Sequence, residues 1–274
     1  MNATRQGLLT NAATAGGILL TGRFASATTL AEIMSRGTMI VATEDDFKPF
    51  EFIQDGKPTG YDTELLELMR KSVPFKIQQE TIPWTGLLPG VGSGKYDAAV
   101  TAALITAERQ NFLDFCSPIA ESTDYYVVKK GSPIKSIKDL AGKKCGAQAG
   151  SAMLAALPEL EAMLKATGGT MGEVVQYVSY PEAYQDLAIG RTDYVVNTQI
   201  NLQSLVQDKP GVFELGQAVS KKIYIAWAVK KGNTEVKALL DTFLIGARKS
   251  GEMAKLQEKW FGLTFDMPEH WTAT

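Results

Sequence analysis

Histidine and cysteine are scarce in this sequence, and it has no excess of basic charge. Its 274 residues include one histidine, His270, and two cysteines, and the formal net charge is −2. A single histidine argues against a histidine-based metal site, a Ser-His-Asp triad and a Cys-His pair. A weakly acidic chain also lacks the basic face that a nucleic-acid partner requires. We therefore expect no metal, no cofactor and no nucleic acid.

The apolar stretch near the N-terminus, residues 7–20, is interrupted by Thr, Asn and Gly and is too short to span a bilayer. Arg5 precedes this stretch and Ala25-Ser26-Ala27 follows it, which is the order of an export signal and its cleavage site. The pattern predicts a signal peptide over residues 1–27 and export of the protein. The alternative is a disordered tail.

The two cysteines, Cys116 and Cys145, lie in the segments LDFCSP and KKCGAQ, which are typical of two separate strand ends. An oxidising compartment would allow them to form a disulfide. Because the segments belong to different strands, we expect two buried free thiols instead.

Short β-like runs alternate with amphipathic stretches along the rest of the chain. The predicted strands are 39–42, 76–80, 98–102, 125–129, 144–147, 174–177, 194–197 and 224–229. The predicted helices are 63–71, 152–164, 182–189 and 235–260. This alternation indicates an α/β protein with mostly parallel sheets.

Two extended runs, residues 123–131 and 221–231, are suited to cross between two lobes. A chain that leaves its first lobe, builds a second and returns would use two such strands. We therefore expect a discontinuous first lobe, residues 28–122 with 224–274, and a second lobe, residues 123–223. A cleft would lie where the two strands cross.

Arg109 follows Thr106 by three residues. Thr106 can cap a short helix, which would place Arg109 in a first turn where the helix dipole disfavours a cation. Such a cation needs either solvent or an anionic partner. The two interpretations are an exposed arginine and a bidentate clamp for a carboxylate, to which a planar guanidinium is suited.

In the segment AQAGSAM, residues 147–153, a strand ends, Gly150 allows a tight turn and a helix begins near Ser151. Free N–H groups at a helix start favour an anion, although every βα turn offers something similar.

Six segments occur in a fixed order: MIVATEDDFKPFEF, DGKPTGYDTEL, VGSGKYDAAVTAALITAERQNFLDFCSPI, IKDLAGKKCGAQAGSA, GRTDYVV and EKWFG. As a set they resemble the family 3 solute-binding proteins of ATP-driven importers, the periplasmic binders of polar amino acids. The resemblance implies two α/β lobes, each a mostly parallel sheet flanked by helices, joined by two hinge strands that close on a small ligand. It also implies a membrane permease as partner, and we expect a monomer.

The resemblance assigns ligand contacts in both lobes. In the first lobe they are two aromatic rings, a strand segment that meets the ligand carboxylate and the cation that pairs with it: Phe47, Trp84, Thr101, Ala102, Ala103 and Arg109. In the second lobe they are a helix start and a position near the variable part of the ligand: Ser151, Ala152 and Gln148.

Three acids, Glu44, Asp45 and Asp46, follow the apolar run 39–42 and precede Phe47. The simplest interpretation is a solvated turn. An open parallel sheet, however, binds ligands at the carboxyl ends of its strands. We therefore expect Glu44, and Asp45 as a second choice, to face the cleft and Asp46 to be solvated. By resemblance, Glu44 matches an acid that reaches the distal cation in binders of basic amino acids.

Two positions depart from the family pattern. A polar residue usually stands shortly before the ITxxR segment, and here it is Leu104. An acid that takes the ligand's ammonium usually follows the GRxD motif, and counting from Asp193 gives Thr198, preceded by Asn197. A neutral threonine cannot compensate a charge, so an ordinary amino acid would be held differently. Asn197 or Thr198 is still expected to contact the ligand in the closed form.

Three possibilities follow for the ammonium. Glu44 or Asp45 takes it, the rings of Phe47 or Trp84 hold it by cation–π contact, or the ligand has no α-ammonium. A further interpretation is that the count across this loop slips by one residue. The identity of the ligand stays open.

The leading hypothesis is a binding protein without catalysis, which captures an amino acid or a related small carboxylate by hinge closure. The alternative is an enzyme resembling cyclohexadienyl dehydratase, with an acid such as Glu44 as general acid. A sensory module is a third option, and no transmembrane or signalling segment in the sequence supports it.

Overall fold

The computed structural model describes residues 28–273, so the predicted signal peptide over residues 1–27 lies outside the described residues. The strands are β1 Thr38–Glu44, β2 Asp46–Phe47, β3 Glu51–Gln54, β4 Lys57–Thr59, β5 Lys76–Ile82, β6 Ala98–Leu104, β7 Leu113–Phe115, β8 Ala120–Ser122, β9 Asp124–Lys129, β10 Cys145–Gln148, β11 Val174–Tyr177, β12 Tyr194–Thr198, β13 Phe213–Ala218 and β14 Ile223–Lys230. The helices are α1 Leu30–Arg36, α2 Tyr61–Arg70, α3 Trp84–Ser93, α4 Ala152–Ala155, α5 Leu157–Ala166, α6 Tyr180–Ala188, α7 Gln199–Asp208, α8 Thr234–Lys249 and α9 Glu252–Phe261.

The strands form two main sheets. The first has the order β5-β1-β6-β14-β7, with β8 also paired to β14, and the second has the order β11-β10-β12-β9-β13. A separate three-stranded antiparallel sheet, β2-β3-β4, lies between β1 and α2 in the chain. All seven residues of β6 are buried, as expected for a central strand that is covered on both faces.

Parallel pairing is confined to part of each sheet. β5, β1 and β6 are parallel to one another, and so are β11, β10 and β12. β14 and β9 run antiparallel to their neighbours. Both sheets are therefore mixed rather than mostly parallel, because the strands next to the crossings run against the βα units.

The chain passes between the sheets at two places, from β8 to β9 and from β13 to β14. The crossings are residue 123 and residues 219–222, at the starts of the two extended runs that the sequence analysis singled out, and the rest of each run is a strand within one sheet. The lobe bounds themselves, residues 28–122 with 224–274 and residues 123–223, stay a prediction.

The long predicted helix over residues 235–260 is two helices, α8 and α9. Gly251 separates them in the left-handed region, with φ +79°. The predicted helix 152–164 likewise divides into α4 and α5. Periodicity alone does not reveal such breaks, because both pieces keep an apolar face toward the core.

Cys116 and Cys145 are both buried and free, which confirms the prediction of two buried thiols. Within residues 28–273, no helix combines the length and apolar character needed to cross a membrane. The same residues contain no group of three or more His, Cys, Asp or Glu side chains placed to hold a metal ion.

Candidate functional site

A narrow cavity lies between the two main sheets, where β1, β6 and β10 end. Its lining is Glu44, Phe47, Trp84, Ala102, Leu104, Arg109, Gln148, Ser151, Ala152 and Met153. The cavity holds about 10 Å³, roughly the room of one water molecule. It brings together most of the residues predicted from the sequence, drawn from both sheets. Thr101, Ala103, Asn197 and Thr198 are not in this lining.

Arg109 begins a short 3₁₀ turn after β6. The Thr106 hydroxyl accepts a hydrogen bond from the Arg109 backbone N–H at 3.2 Å, as the capping prediction requires. The side chain is only 7% exposed, so the interpretation as an exposed arginine is wrong. Its Nη1 donates to the Leu104 carbonyl at 2.9 Å and its Nη2 to the Gly150 carbonyl at 3.3 Å. Burial lowers the pKa of Arg109 to about 10, and the group stays a cation at neutral pH.

Trp84, the first residue of α3, lies beside this cation. The Arg109 Cζ is 4.9 Å from the ring centroid, a cation–π contact that orients the guanidinium. The Trp84 indole N–H donates to the Gly150 carbonyl at 3.1 Å. One carbonyl before α4 thus accepts hydrogen bonds from both residues and ties the turn to the first sheet.

Glu44 ends β1 and contacts Gln148, which ends β10. The Gln148 amide donates to Glu44 at 2.8 Å and to the Val178 carbonyl at 3.3 Å. Burial raises the pKa of Glu44 to about 8, and the charges of Asp45 and Asp46 act in the same direction, against the hydrogen bond from Gln148. Glu44 is therefore largely protonated near pH 7.

A second cavity of about 190 Å³ lies on the other side of Phe47, between β2 and α6 to α7. Asp46, which was expected to be solvated, lines it, and burial raises the pKa of this carboxyl to about 6. The Phe47 ring contacts Tyr180 at 5.9 Å between centroids, and Tyr180 stacks on Tyr184 at 5.7 Å. From the sequence, packing in the core or on the surface is the favoured interpretation of these two tyrosines, and lining of the cleft by one of them is the alternative.

The predicted residues outside the main cavity are engaged within the protein. The Thr101 hydroxyl donates to Glu51. Asn197, which lines the second cavity, donates to the Tyr184 hydroxyl at 2.8 Å. The Thr198 hydroxyl caps α7 through the Asn201 backbone N–H at 3.3 Å. Ala103 packs in a core cluster that also contains Trp84.

Glu51 and Asp62 form a buried pair of carboxyl groups behind the Thr101 segment, and the sequence analysis missed it. Glu51 accepts from the Thr101 hydroxyl and, at 3.0 Å, from the Ala102 N–H, while the Trp227 indole donates to Asp62. Burial and the neighbouring Asp62 raise the pKa of Glu51 well above its usual range. The only sequence signal was a charged residue between two phenylalanines in PFEF.

Comparison with known proteins agrees with this geometry. A model of the bacterial extracellular solute-binding proteins, family 3, matches residues 39–263. The L-cystine-binding protein TcyJ of Escherichia coli (strain K12) is 30% identical over 243 residues, which cover 87% of this chain and 88% of that protein.

Solved structures show the same likeness. An ancestral arginine-binding protein bound to arginine has a TM-score of 0.74 and 33% identity, over 83% of this chain and 99% of that one. The ancestral amino acid-binding protein AncCDT-1, a precursor of cyclohexadienyl dehydratase, has a TM-score of 0.74 and 29% identity. The match covers 84% of this chain and 98% of that one. The two-lobed α/β fold expected from the sequence is thereby confirmed.

Proposed function

This chain belongs to family 3 of the bacterial extracellular solute-binding proteins, and we propose that it is the periplasmic substrate-binding component of an ABC importer. Its ligand is an amino acid or a related small carboxylate, held between the lobes. It works as a monomer and delivers the ligand to a membrane permease. The predicted signal peptide, residues 1–27, directs its export.

The observation that carries this proposal is the buried guanidinium of Arg109, fixed on the Trp84 ring in a cavity that both sheets line. A guanidinium has five N–H donors, and the two carbonyl contacts use two of them. The remaining donors suit the two oxygens of a carboxylate. Phe47 and Trp84 supply flat surfaces for the body of the ligand.

Hinge closure is supported by contacts that cross between the sheets. Two of them are the hydrogen bonds from Gln148 to Glu44 and from Trp84 to the Gly150 carbonyl. The Lys48 ammonium also pairs with Asp208 at 2.5 Å, and the Lys48 carbonyl accepts a hydrogen bond from Asn201 at 2.8 Å. Because the cavity holds only about 10 Å³, an amino acid enters when these contacts separate. Ligand contacts to both faces then favour the closed form.

The test is a binding screen by thermal shift and isothermal titration calorimetry. The panel contains L-cystine, L-arginine, the other common amino acids and their des-amino analogues. We expect at least one carboxylate to bind wild-type protein and Arg109→Ala to weaken that binding by about 100-fold or more. Arg191→Ala is the control. Arg191 is an exposed arginine in the turn after α6, where it pairs with Asp186 of that helix. Undiminished binding by Arg109→Ala removes the clamp from the proposal.

One observation favours a second candidate, an enzyme resembling cyclohexadienyl dehydratase. Glu44 is a buried, largely protonated carboxyl inside the cavity, which is the state that a general acid requires. Incubation with prephenate separates the two candidates. Product formation that Glu44→Gln abolishes supports the enzyme, and ligand binding without product supports the transport protein.

A further inference from the structure

A third cavity opens beside the candidate site, on the side of the crossing strands. It holds about 430 Å³ and is lined by the end of β6, the start of β9, α4, α5 and the loop before β14. Leu104 and Ala152 line both this cavity and the narrow one that contains Arg109. The two spaces are therefore adjacent, and the Leu104 carbonyl already accepts a hydrogen bond from Arg109.

Asp124, the first residue of β9, lies in the wall of this cavity and is 3% exposed. Its Oδ1 is buried and accepts no hydrogen bond from any residue in the range 28–273. Burial raises the pKa of Asp124 to about 7, against the hydrogen bond with Ser220, while Glu159 raises it further. A buried carboxylate with an unused oxygen is costly to charge, and a cation beside it removes most of that cost.

None of the other charged side chains that line this cavity is recorded as a partner for the Asp124 carboxylate. Lys222 is exposed and pairs with Glu121 at 3.0 Å. Lys221 is exposed at the rim, and its backbone N–H donates to Glu159 at 3.0 Å. Glu108 lines the same cavity and has the same sign of charge as Asp124.

The sheet register places Asp124 next to Thr198, the position where the family pattern usually has the acid that binds the ammonium. β9 pairs antiparallel with β12, and Asp124 is directly opposite Thr198. Directly opposed residues point to the same face of a sheet, with Cβ atoms about 4.5–5.5 Å apart. Thr198 is neutral and uses its hydroxyl to cap α7, so it offers no charge at this place.

Glu44, the acid that lines the main cavity together with Arg109, is the rival partner for a cation. Its carboxyl already accepts the Gln148 amide at 2.8 Å. Asp124 has the unpartnered oxygen. Burial raises the pKa of Tyr180, and the charges of Asp124 and Glu44 act in the same direction, so both acids lie near this tyrosine.

We propose that Asp124 binds the ammonium group of the ligand while Arg109 binds its carboxylate. This inference rests on the proposed function, and it narrows the ligand to a zwitterionic amino acid. The ligand would lie across Leu104, with its carboxylate toward Trp84 and its ammonium toward the crossing strands.

The experiment compares wild-type protein, Asp124→Asn and the control Asp266→Asn, an exposed acid far along the chain in the C-terminal segment. Calorimetry uses the amino acid that binds wild type most tightly, L-arginine or L-cystine first, together with its des-amino analogue. We expect Asp124→Asn to weaken the amino acid by about 100-fold or more and to leave the analogue within a few-fold. Thermal melting without ligand checks that each variant folds.

A rescue variant distinguishes a binding role from a structural one. Asp124→Asn combined with Thr198→Asp places a carboxylate on the same face one strand away, and aspartate keeps the helix cap. We expect it to recover at least tenfold of the lost affinity for the amino acid. If Asp124→Asn does not fold, Asp124→Ser with the same rescue replaces it.

The outcomes separate the two proposals. Equal affinity of wild type and Asp124→Asn for the amino acid overturns the role of Asp124 and leaves the carboxylate-binding function standing. If wild-type protein binds des-amino carboxylates but no amino acid, the role of Asp124 is likewise overturned and the carboxylate-binding function still stands. A wild-type protein that binds no member of the panel overturns both.

Discussion

Gln148 donates a hydrogen bond of 2.8 Å to Glu44, and this contact joins two residues that are 104 positions apart in the chain. Each residue ends a strand of a different sheet. The contact therefore exists only when the two sheets approach each other. It also buries the Glu44 carboxyl, which sets the protonation state of the site.

The stability of the protein should depend on pH through Glu44. Burial raises the pKa of this carboxyl from 4.5 to about 8, so the folded form keeps a proton that the unfolded form loses. Stability therefore falls as the pH rises from about 4.5 to about 8, by up to a few kcal/mol. Glu44→Gln should remove this part of the dependence.

Urea unfolding at pH 5 and pH 8.5 measures the effect for both proteins. Glu258→Gln, a change at an exposed acid on α9, is the control and should follow wild type. An unchanged pH dependence in Glu44→Gln would show that the Glu44 proton is not linked to folding.

Trp84→Phe should weaken ligand binding by about 2- to 12-fold. The change keeps a ring over Arg109 but removes the N–H that donates to the Gly150 carbonyl at 3.1 Å, a hydrogen bond of about 0.5–1.5 kcal/mol. Calorimetry with the tightest ligand of the panel gives the affinity. Trp260→Phe is a matched control, because the Trp260 indole N–H donates to no residue among those described. Equal losses of ligand affinity in the two variants would contradict a role in binding for the hydrogen bond from Trp84 to Gly150.

Lys48→Ala should change ligand affinity by less than about fivefold. Lys48 and Asp208 join the two faces, but both side chains are more than 40% exposed, and exposed ion pairs contribute about 0–1 kcal/mol. The difference from wild type should disappear at about 1 M salt, where the charges are screened. A loss that persists at high salt would mean that Lys48 contacts the ligand itself.

Glu51→Ala should destabilise the protein by about 2–4 kcal/mol. It leaves the Thr101 hydroxyl and the Ala102 N–H buried without an acceptor. Glu51→Gln keeps an acceptor oxygen, and we expect it to cost at least about 1 kcal/mol less. Urea unfolding at pH 7 compares the two variants. Equal stabilities of Ala and Gln at this position would show that these hydrogen bonds contribute little.

Both thiols should be unreactive in the folded protein. Burial raises the pKa of Cys145 to about 12 and that of Cys116 well above its usual range, so neither forms the reactive thiolate. A thiol-reactive disulfide reagent should find no accessible thiol in native protein and two after unfolding in denaturant. Fewer than two after unfolding would reveal a disulfide.

Much of the fold could be predicted because its signals are local. The predicted strand 174–177 has the bounds of β11, and residues 98–102 lie within β6. The three-stranded sheet β2-β3-β4 was missed, since its strands have only two to four residues and too little pattern to detect. The break at Gly251 was missed because it interrupts no apolar period.

The candidate site was predictable to a similar extent. Glu44, Trp84, Arg109 and Gln148 each stand at the end of a strand or the start of a turn, and the structure brings them to one cavity. Thr101 instead lies in the middle of β6, and its hydroxyl is directed to Glu51. Adjacent strand residues alternate between faces, and which face meets the ligand depends on the sheet that forms later.

The sequence by itself determined the α/β class, the order of the segments and the family, because periodicity and motif spacing are carried by residues close together in the chain. The tertiary structure alone decided that Asp124 stands opposite Thr198, that Glu51 and Asp62 meet, and that burial raises the pKa of Glu44. Those relationships depend on strand register and on the exclusion of water, and both arise only when segments far apart in the chain pack together.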